Sequence, residues 1–155
     1  MEIKAELNKP YTDEERISFI VEQNHRNGYE IRETETALQA WGYTEEEKAQ
    51  QEAERIAQLH LTRGDVFRAL LMARQVTRSQ LRAMIEQMPD ETPEQAMAKE
   101  LALIDFDEAL DFYRGIALVD TLGLALGITE EQMTEFFETN DWHVLIPDTR
   151  NNEGG

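Results

Sequence analysis

The sequence predicts a mainly α protein, a compact bundle of about six or seven short helices with helix-turn-helix-like pairs and a small β-α-β element at the N-terminus. Three observations predict this fold: a repeated helix-start signal, apolar residues at helical spacing, and two short runs that alternate like strands. A chain of 155 residues is long enough to bury a hydrophobic core without disulfide bonds or metals.

The helix-start signal is a threonine followed three residues later by Glu, Gln or Asp. In this capping box the threonine hydroxyl accepts a hydrogen bond from a first-turn amide, and the later side chain bonds back to the threonine amide. Pro93 directly follows one of these threonines, at a position where a missing N–H costs nothing. The matches predict six helices: Thr12/Glu15, Thr44/Glu47, Thr62/Asp65, Thr77/Gln80, Thr92/Gln95 and Thr129/Gln132.

Apolar residues recur at helical spacing after these starts, and each series predicts a helix face turned toward a shared core. One series, Met97, Leu101 and Ile104, changes phase at Asp105, which predicts a break or kink there. The other series are Ile17, Ile20 and Val21; Ala49, Ala53, Ile56 and His60; Val66, Phe67, Leu70 and Leu71; Leu81, Met84, Ile85 and Met88; Phe106, Ala109, Leu110, Tyr113 and Ala117; Leu118, Leu122, Ala125 and Leu126; and Met133, Phe136 and Phe137.

Two short segments near the N-terminus, residues 3–7 and 29–32, alternate between apolar and polar side chains and predict strands. The adjoining stretch ETETALQAW is ambiguous between a strand and a turn of helix. After Asp141 the run WHVLIP is able to dock on the body, and the polar DTRNNEGG is typical of a disordered end. We therefore expect one compact domain that comprises an N-terminal strand-helix-strand element (1–43), a helical body (44–141) and a C-terminal tail (142–155).

Composition restricts the classes of function. The chain has no cysteine, which excludes disulfide bonds, thiolate catalysis and sulfur-bound zinc. The N-terminus lacks the apolar core of a signal peptide, and no window approaches the roughly 20 apolar residues of a membrane span. These features predict a soluble cytosolic protein with no membrane partner.

The net charge is −17, and it is distributed unevenly along the chain. Residues 62–82 contain five arginines and one acidic residue, whereas the segments on both sides are strongly acidic. A large negative charge repels nucleic acids and anionic membranes at long range. Direct nucleic-acid binding is therefore disfavoured, although a compact arginine cluster still acts locally within a screening length of about 8 Å.

The basic segment has the outline of a helix-turn-helix, with a helix from about 63 to 74, the turn QVT and a helix that begins at Arg78. Arg78 and Arg82 are four residues apart and share a face, as in a recognition helix, and together with Arg68 they form the candidate basic patch. The alternative is that these arginines brace neighbouring acids, beginning with Glu86. We favour bracing, because surplus carboxylates compete with phosphate for each guanidinium.

A second outline of the same kind, LVDTLGLALGITEEQMTEFF, carries no base on its second helix. It is unsuited to DNA, so short-turn helix pairs are an architectural feature of this chain. The segment IDFDEALDFYRG places Asp107 and Asp111 on one face of a predicted helix, where a hard cation would meet two or three oxygens. No known metal-binding loop accompanies them, and we favour a solvated face. The candidate acidic interaction face comprises Asp105, Asp107, Glu108, Asp111, Glu130, Glu131 and Glu135.

Four stretches, YTDEERISFIVEQNHRNGYEIRETETALQAW, LTRGDVFRALL, ALIDFDEALDFYRG and FFETNDW, together resemble a family of small acidic proteins encoded by phages and prophages of Firmicutes. The resemblance covers nearly everything from Tyr11 to Trp142. It implies a phage origin, genes among the late functions near tail, baseplate and lysis genes, and a stage in the host cytoplasm, with virion association left open. The family has no established activity, so the resemblance transfers no functional residue.

The sequence therefore predicts a non-enzymatic phage protein that acts by protein–protein contact with a basic partner, as an accessory or assembly factor of the tail module. No catalytic site, cofactor or metal is predicted, and self-association is left open. The first alternative is a DNA mimic that inhibits a host defence nuclease or another nucleic-acid enzyme. The second is a small DNA-binding protein that uses Arg68, Arg78 and Arg82.

Overall fold

A computed structural model describes residues 1–147. Within these residues the protein is mainly helical, as predicted, and contains seven α-helices, a three-stranded sheet and a two-stranded sheet. The chain forms two compact units, Met1–Ala53 and Glu54–Gly155. The first unit thus extends beyond residue 43, where we placed the end of the N-terminal element. The expected disordered end, residues 148–155, lies outside the described residues.

The first unit contains three strands and one helix that changes its winding. Strand β1 (Glu2–Asn8) is followed by helix α1 (Asp13–Ile20), which continues as a π-helix (Val21–Arg26). Strands β2 (Glu30–Glu33) and β3 (Ala37–Gly42) complete an antiparallel sheet of order β1-β3-β2. The ambiguous ETETALQAW stretch therefore supplies the central strand.

Strand β3 is the central strand because it pairs with both β1 and β2, and its side chains of Ala37, Leu38 and Ala40 are buried. The turn before it is closed by Thr34, whose hydroxyl oxygen Oγ1 accepts a hydrogen bond from the amide of Ala37 at 3.0 Å. A polar side chain that bonds the backbone two or three residues ahead stabilises such a turn. The hairpin pairs Glu33 with Leu38 and thereby fixes the register.

The prediction that α1 turns its apolar series toward a core is wrong at Ile17, which is 60% exposed. No residue of α1 is buried. Half-buried side chains begin at Phe19 and continue through Ile20 and Val21, where the helix passes into π winding. Ile17 precedes the π segment, and apolar spacing identifies one face of a helix without showing whether that face is covered.

Helix α2 (Glu45–Ala57) spans the boundary between the units, and the second unit contains the remaining elements. These are strand β4 (His60–Thr62), helices α3 (Arg63–Arg74), α4 (Arg78–Glu86) and α5 (Pro93–Glu108), strand β5 (Asp111–Tyr113), helices α6 (Ala117–Leu126) and α7 (Glu130–Thr139), and a 3₁₀ turn (Trp142–Leu145).

All six predicted helix starts are confirmed. Each threonine hydroxyl accepts a hydrogen bond at 3.1–3.2 Å from the amide three residues ahead, and Pro93 lies in the first turn of α5. Helix α6 begins after Ile116 without a side-chain cap. Its apolar spacing indicated it, as did its stop at Gly127, whose φ of +70° suits a residue without a Cβ.

The core of the second unit is built around aromatic side chains. The ring of Phe67 on α3 lies 5.0 Å from that of Phe106 on α5 and 5.7 Å from that of Phe112 on β5. These contacts join three elements at one point. The other buried members include Leu70, Leu81, Ile85, Leu118, Leu122, Met133, Phe136, Phe137 and Leu145.

Helix α5 is continuous, so the predicted break at Asp105 is wrong. Ala102 and Phe106 are buried, but Met97, Leu101 and Ile104 are 67%, 55% and 47% exposed. The change of phase in the sequence therefore separates two faces of one helix. The first series does not point to the core, and the chain leaves the helix only after Glu108.

Strands β4 and β5 correct two further predictions. Helix α2 ends at Ala57, so His60 is not a partly buried helical residue: it is exposed in β4, with its ring 5.1 Å from that of Tyr113. The series that begins at Phe106 does not continue as a helix, because β5 pairs antiparallel with β4, with Leu61 opposite Phe112. Short strands without an alternating pattern left no signal in the sequence.

Candidate functional site

Four of the five arginines in α3 and α4 donate hydrogen bonds to other groups of the protein. The guanidinium of Arg63 donates to the carbonyl oxygen of Asp107 at 2.6 Å, and its central carbon lies 5.4 Å from the ring centre of Phe67. The Asp107 carbonyl lies in the last turn of α5, where helix carbonyls lack intrahelical partners. Arg63 thus ties the start of α3 to the end of α5.

Arg74 has the same role at the other end of α3. Its Nε donates to the carbonyl of Leu145 at 2.6 Å, and its Nη1 donates to the carbonyl of Leu126 at 2.9 Å. Burial lowers the pKa of this guanidinium. Leu126 ends α6 and Leu145 ends the 3₁₀ turn, so one cation binds carbonyl groups at the ends of two elements. The WHVLIP run is therefore docked, with Leu145 fully buried.

Arg82, one member of the candidate basic patch, pairs with two acids. Its Nε and Nη2 bind the two carboxylate oxygens of Asp107 at 3.2 and 3.0 Å, and its Nη1 donates to Glu86. The hydrogen bonds from Arg82 lower the pKa of the Asp107 carboxyl. Bracing, including the predicted contact with Glu86, is thus confirmed for Arg82.

Arg68 and Arg78, the other two members, have different surroundings. Arg68 is exposed on α3 and binds Asp65 at 2.5 Å; this hydrogen bond lowers the pKa of Asp65. Arg78 is exposed at the start of α4, and its side chain makes no hydrogen bond or ion pair to residues 1–147. Both border one shallow groove, whose other lining residues are Gly64, Phe67, Leu71 and Thr77.

The acidic residues of the candidate interaction face are distributed over three elements. Asp105, Asp107 and Glu108 belong to the last turn of α5, whereas Asp111 lies in β5. The prediction that Asp107 and Asp111 share a helix face is therefore wrong, because α5 ends between them. Asp107 is also partly neutralised by Arg82, which leaves Glu108 as an exposed carboxylate with no ion pair among the described residues.

The second group of acids, Glu130, Glu131 and Glu135, lies on α7. Glu130 and Glu131 occupy its first turn, where negative charge is stabilised by the helix dipole. All three are exposed and make no ion pair within residues 1–147. Helix α6 lies between the two acidic groups in the chain and packs against both helices that carry them, α5 and α7.

The described residues contain no group of three or more His, Asp or Glu side chains able to hold a metal ion. The lowered carboxyl pKa values belong to exposed or half-buried groups with nearby cations or hydrogen-bond donors, among them Glu30 with Arg32 and Asp141 with His143. Residues 1–147 also include no helix with the length and apolarity needed to cross a bilayer.

Arg114 is the one charged side chain that is buried among residues 1–147, and its role was not predicted from the sequence. Its Nη1 donates to the carboxylate of Asp120 at 2.7 Å, and its Nε donates to the hydroxyl of Thr134 at 3.2 Å. It therefore links the segment after β5 to α6 and α7. Its position in the sequence offered one indication: residues 83–155 are strongly acidic and contain two other basic residues, Lys99 and Arg150.

Comparisons of this chain with protein-family models, with curated proteins and with solved structures find no match. The resemblance to small phage and prophage proteins of Firmicutes therefore stays a prediction, and the function is argued from the residues themselves.

Proposed function

We propose that this chain is a phage-encoded, non-enzymatic protein that acts by protein–protein contact with a partner that presents a basic surface. One observation carries the proposal: the arginine-rich segment is directed largely to the protein's own carbonyls and carboxylates, whereas acids such as Glu108 and Glu131 are exposed and form no ion pair with residues 1–147. With a net charge of −17, such a surface attracts cationic partners and repels polyanions.

The more specific role, an accessory or assembly factor of a phage tail module made in the host cytoplasm, rests on the sequence resemblance alone. It is compatible with a small protein whose surface charge maintains solubility and accelerates encounter with a basic partner.

Direct DNA binding fits the same observations less well. Arg82 and Arg68 would have to release Asp107 and Asp65 before they could contact phosphate, and the surrounding carboxylates oppose the approach of a polyanion. Of these three arginines, Arg78 alone makes no hydrogen bond or ion pair to residues 1–147, and a single cation contributes little to such an interface.

The rival that the exposed acids also support is a DNA mimic. Glu130, Glu131 and Glu135 on α7 would stand in for phosphates in the basic cleft of a nucleic-acid enzyme. The two functions make different predictions about the partner: a mimic occupies the site of DNA, whereas an assembly factor does not.

Affinity capture of the tagged chain from Firmicute cells in the late stage of phage infection separates them. The proposal predicts recovery of a virion structural protein that is retained when excess duplex DNA is added. Recovery of a nucleic-acid enzyme that DNA displaces would contradict the assembly role and support mimicry. If the chain captures no basic protein in a salt-sensitive manner, both the assembly role and DNA mimicry are excluded. Light scattering of the purified chain measures its molar mass and so tests self-association, which the sequence left open.

A further inference from the structure

Helix α5 carries apolar residues on two opposite faces. Ala102 and Phe106 pack into the core, while Met97, Leu101 and Ile104 lie on the other side at spacings of four and three residues. Side chains at these spacings form one continuous stripe on a helix. We call these three residues the outer face of α5. An apolar face of this kind on a soluble helix normally contacts another element.

Acidic residues border the outer face. Glu94 and Glu108 lie three residues before and four residues after it along the same stripe, and Glu100 lies at its side. All three are exposed and form no ion pair within the described residues. The one base of α5, Lys99, falls on the opposite side of the helix and binds Asp90 at 3.2 Å. The α5 side chains that border the outer face are therefore acidic, and the basic side chains of Arg63 and Arg82 meet this helix at Asp107 in its last turn.

We propose that the outer face of α5 docks a basic amphipathic helix of the partner protein, an inference that rests on the function proposed above and specifies its surface. Apolar side chains of that helix would cover Met97, Leu101 and Ile104, and its lysines or arginines would pair with Glu94, Glu100 and Glu108. Helix-in-groove recognition uses the same arrangement of spaced apolar anchors, and the charged border selects the partner and its orientation.

Charge complementarity also separates this occupant from the others. A second copy of the chain would bring two acidic borders together, which costs energy at short range. An anionic lipid surface or a nucleic acid would be repelled for the same reason. A basic helix is the occupant that satisfies both the stripe and its border.

The probe is a synthetic helical peptide of leucine and lysine with its leucines on one face, titrated against the labelled protein by fluorescence anisotropy. The control peptide carries glutamate in place of lysine. The apolar contact is tested with Met97→Ser plus Leu101→Ser. Its matched control is Leu110→Ser plus Leu124→Ser, since these leucines are 84% and 86% exposed and lie outside the outer face.

We expect the outer-face pair of substitutions to weaken peptide binding about tenfold or more, because each buried apolar side chain contributes on that scale. The control pair should leave the affinity unchanged. Thermal melts that match the wild type establish that both variants are folded, as expected for substitutions at exposed positions.

The border is tested in the same way with two variants of equal charge change. One variant neutralises the border of the outer face with Glu94→Gln, Glu100→Gln and Glu108→Gln. The other neutralises α7 with Glu130→Gln, Glu131→Gln and Glu135→Gln. The border variant should weaken peptide binding and reduce its salt dependence more than the α7 variant. Equal effects of the two variants, equal effects of the two serine pairs, or absence of peptide binding would overturn the docking site. The proposed function is judged separately, because native partners captured by a chain with an altered outer face would leave it standing.

Discussion

The guanidinium of Arg82 binds both carboxylate oxygens of Asp107, at 3.2 and 3.0 Å, and thereby connects α4 to the last turn of α5. Arg63 binds the backbone carbonyl of the same residue at 2.6 Å, so α3 is connected to it as well. Arg74 likewise binds carbonyls at the ends of α6 and the 3₁₀ turn. Three of the five arginines in this segment therefore contact the ends of other elements. In an acidic protein, this segment holds helix ends together.

The first prediction compares two arginines of α4. Arg82→Ala should lower Tm, because it removes the contacts with Asp107 and Glu86, whereas Arg78→Ala should leave Tm unchanged, because Arg78 has no partner among the described residues. The effect of Arg82→Ala should be modest, since exposed ion pairs contribute little. Thermal denaturation followed by circular dichroism measures both, and equal changes would contradict the bracing role.

The second prediction concerns pH. Arg82 lowers the pKa of Asp107 below its ordinary value of 3.8, so the folded protein binds this proton less readily than the unfolded chain. The stabilisation is complete above the unfolded pKa and is lost as pH falls through the folded pKa. The difference in Tm between wild type and Arg82→Ala should therefore be largest near neutral pH and close to zero at about pH 2. A difference that grows on acidification would contradict it.

The third prediction concerns Arg74. Arg74→Ala should lower the free energy of unfolding by about 3 kcal/mol, because it removes two charge-assisted hydrogen bonds and leaves the carbonyls of Leu126 and Leu145 without their donors. Arg74→Lys should recover only part of the loss, since an ammonium group does not reproduce the guanidinium fork. Urea denaturation of the wild type and both variants measures the free energy of unfolding. An unchanged value for Arg74→Ala would refute the role of Arg74 in binding these two carbonyls.

The fourth prediction tests the two faces of α5 directly. Phe106→Ala should cost about 3–5 kcal/mol, since its ring is 1% exposed and contacts Phe67. Leu101→Ala should change stability by no more than about 0.5 kcal/mol, because its side chain is largely exposed and alanine is a good helix former. Comparable losses in urea denaturation would mean that both faces are buried.

Local chemistry accounts for what the sequence could predict. Each threonine cap is a contact between residues three apart, so the starts of α1 to α5 and α7 were readable, and α3, its turn and α4 were placed at the residues where they occur. The contact of Arg82 with Glu86 was predictable for the same reason, because the two residues lie one helical turn apart.

Long-range pairing accounts for what the sequence could not predict. The hydrogen bonds of β4 with β5 join residues about fifty positions apart, and nothing near His60 or Asp111 announces them. Apolar spacing identifies a helix face but not the side on which the core lies, so Met97, Leu101 and Ile104 were placed inward. The pair Arg82–Asp107 and the burial of Arg114 likewise depend on which elements meet in space.

The proposed function requires that this protein binds cationic surfaces through its exposed acids while its arginines contact its own carbonyls and carboxylates. It is tested most directly by a two-colour anisotropy titration at low salt, in which the wild-type chain is added to a basic helical peptide and a duplex DNA that carry different fluorophores. We expect the peptide to bind, with an affinity that falls as salt is raised, while the DNA signal does not change. Binding of the DNA with no binding of the peptide would contradict it.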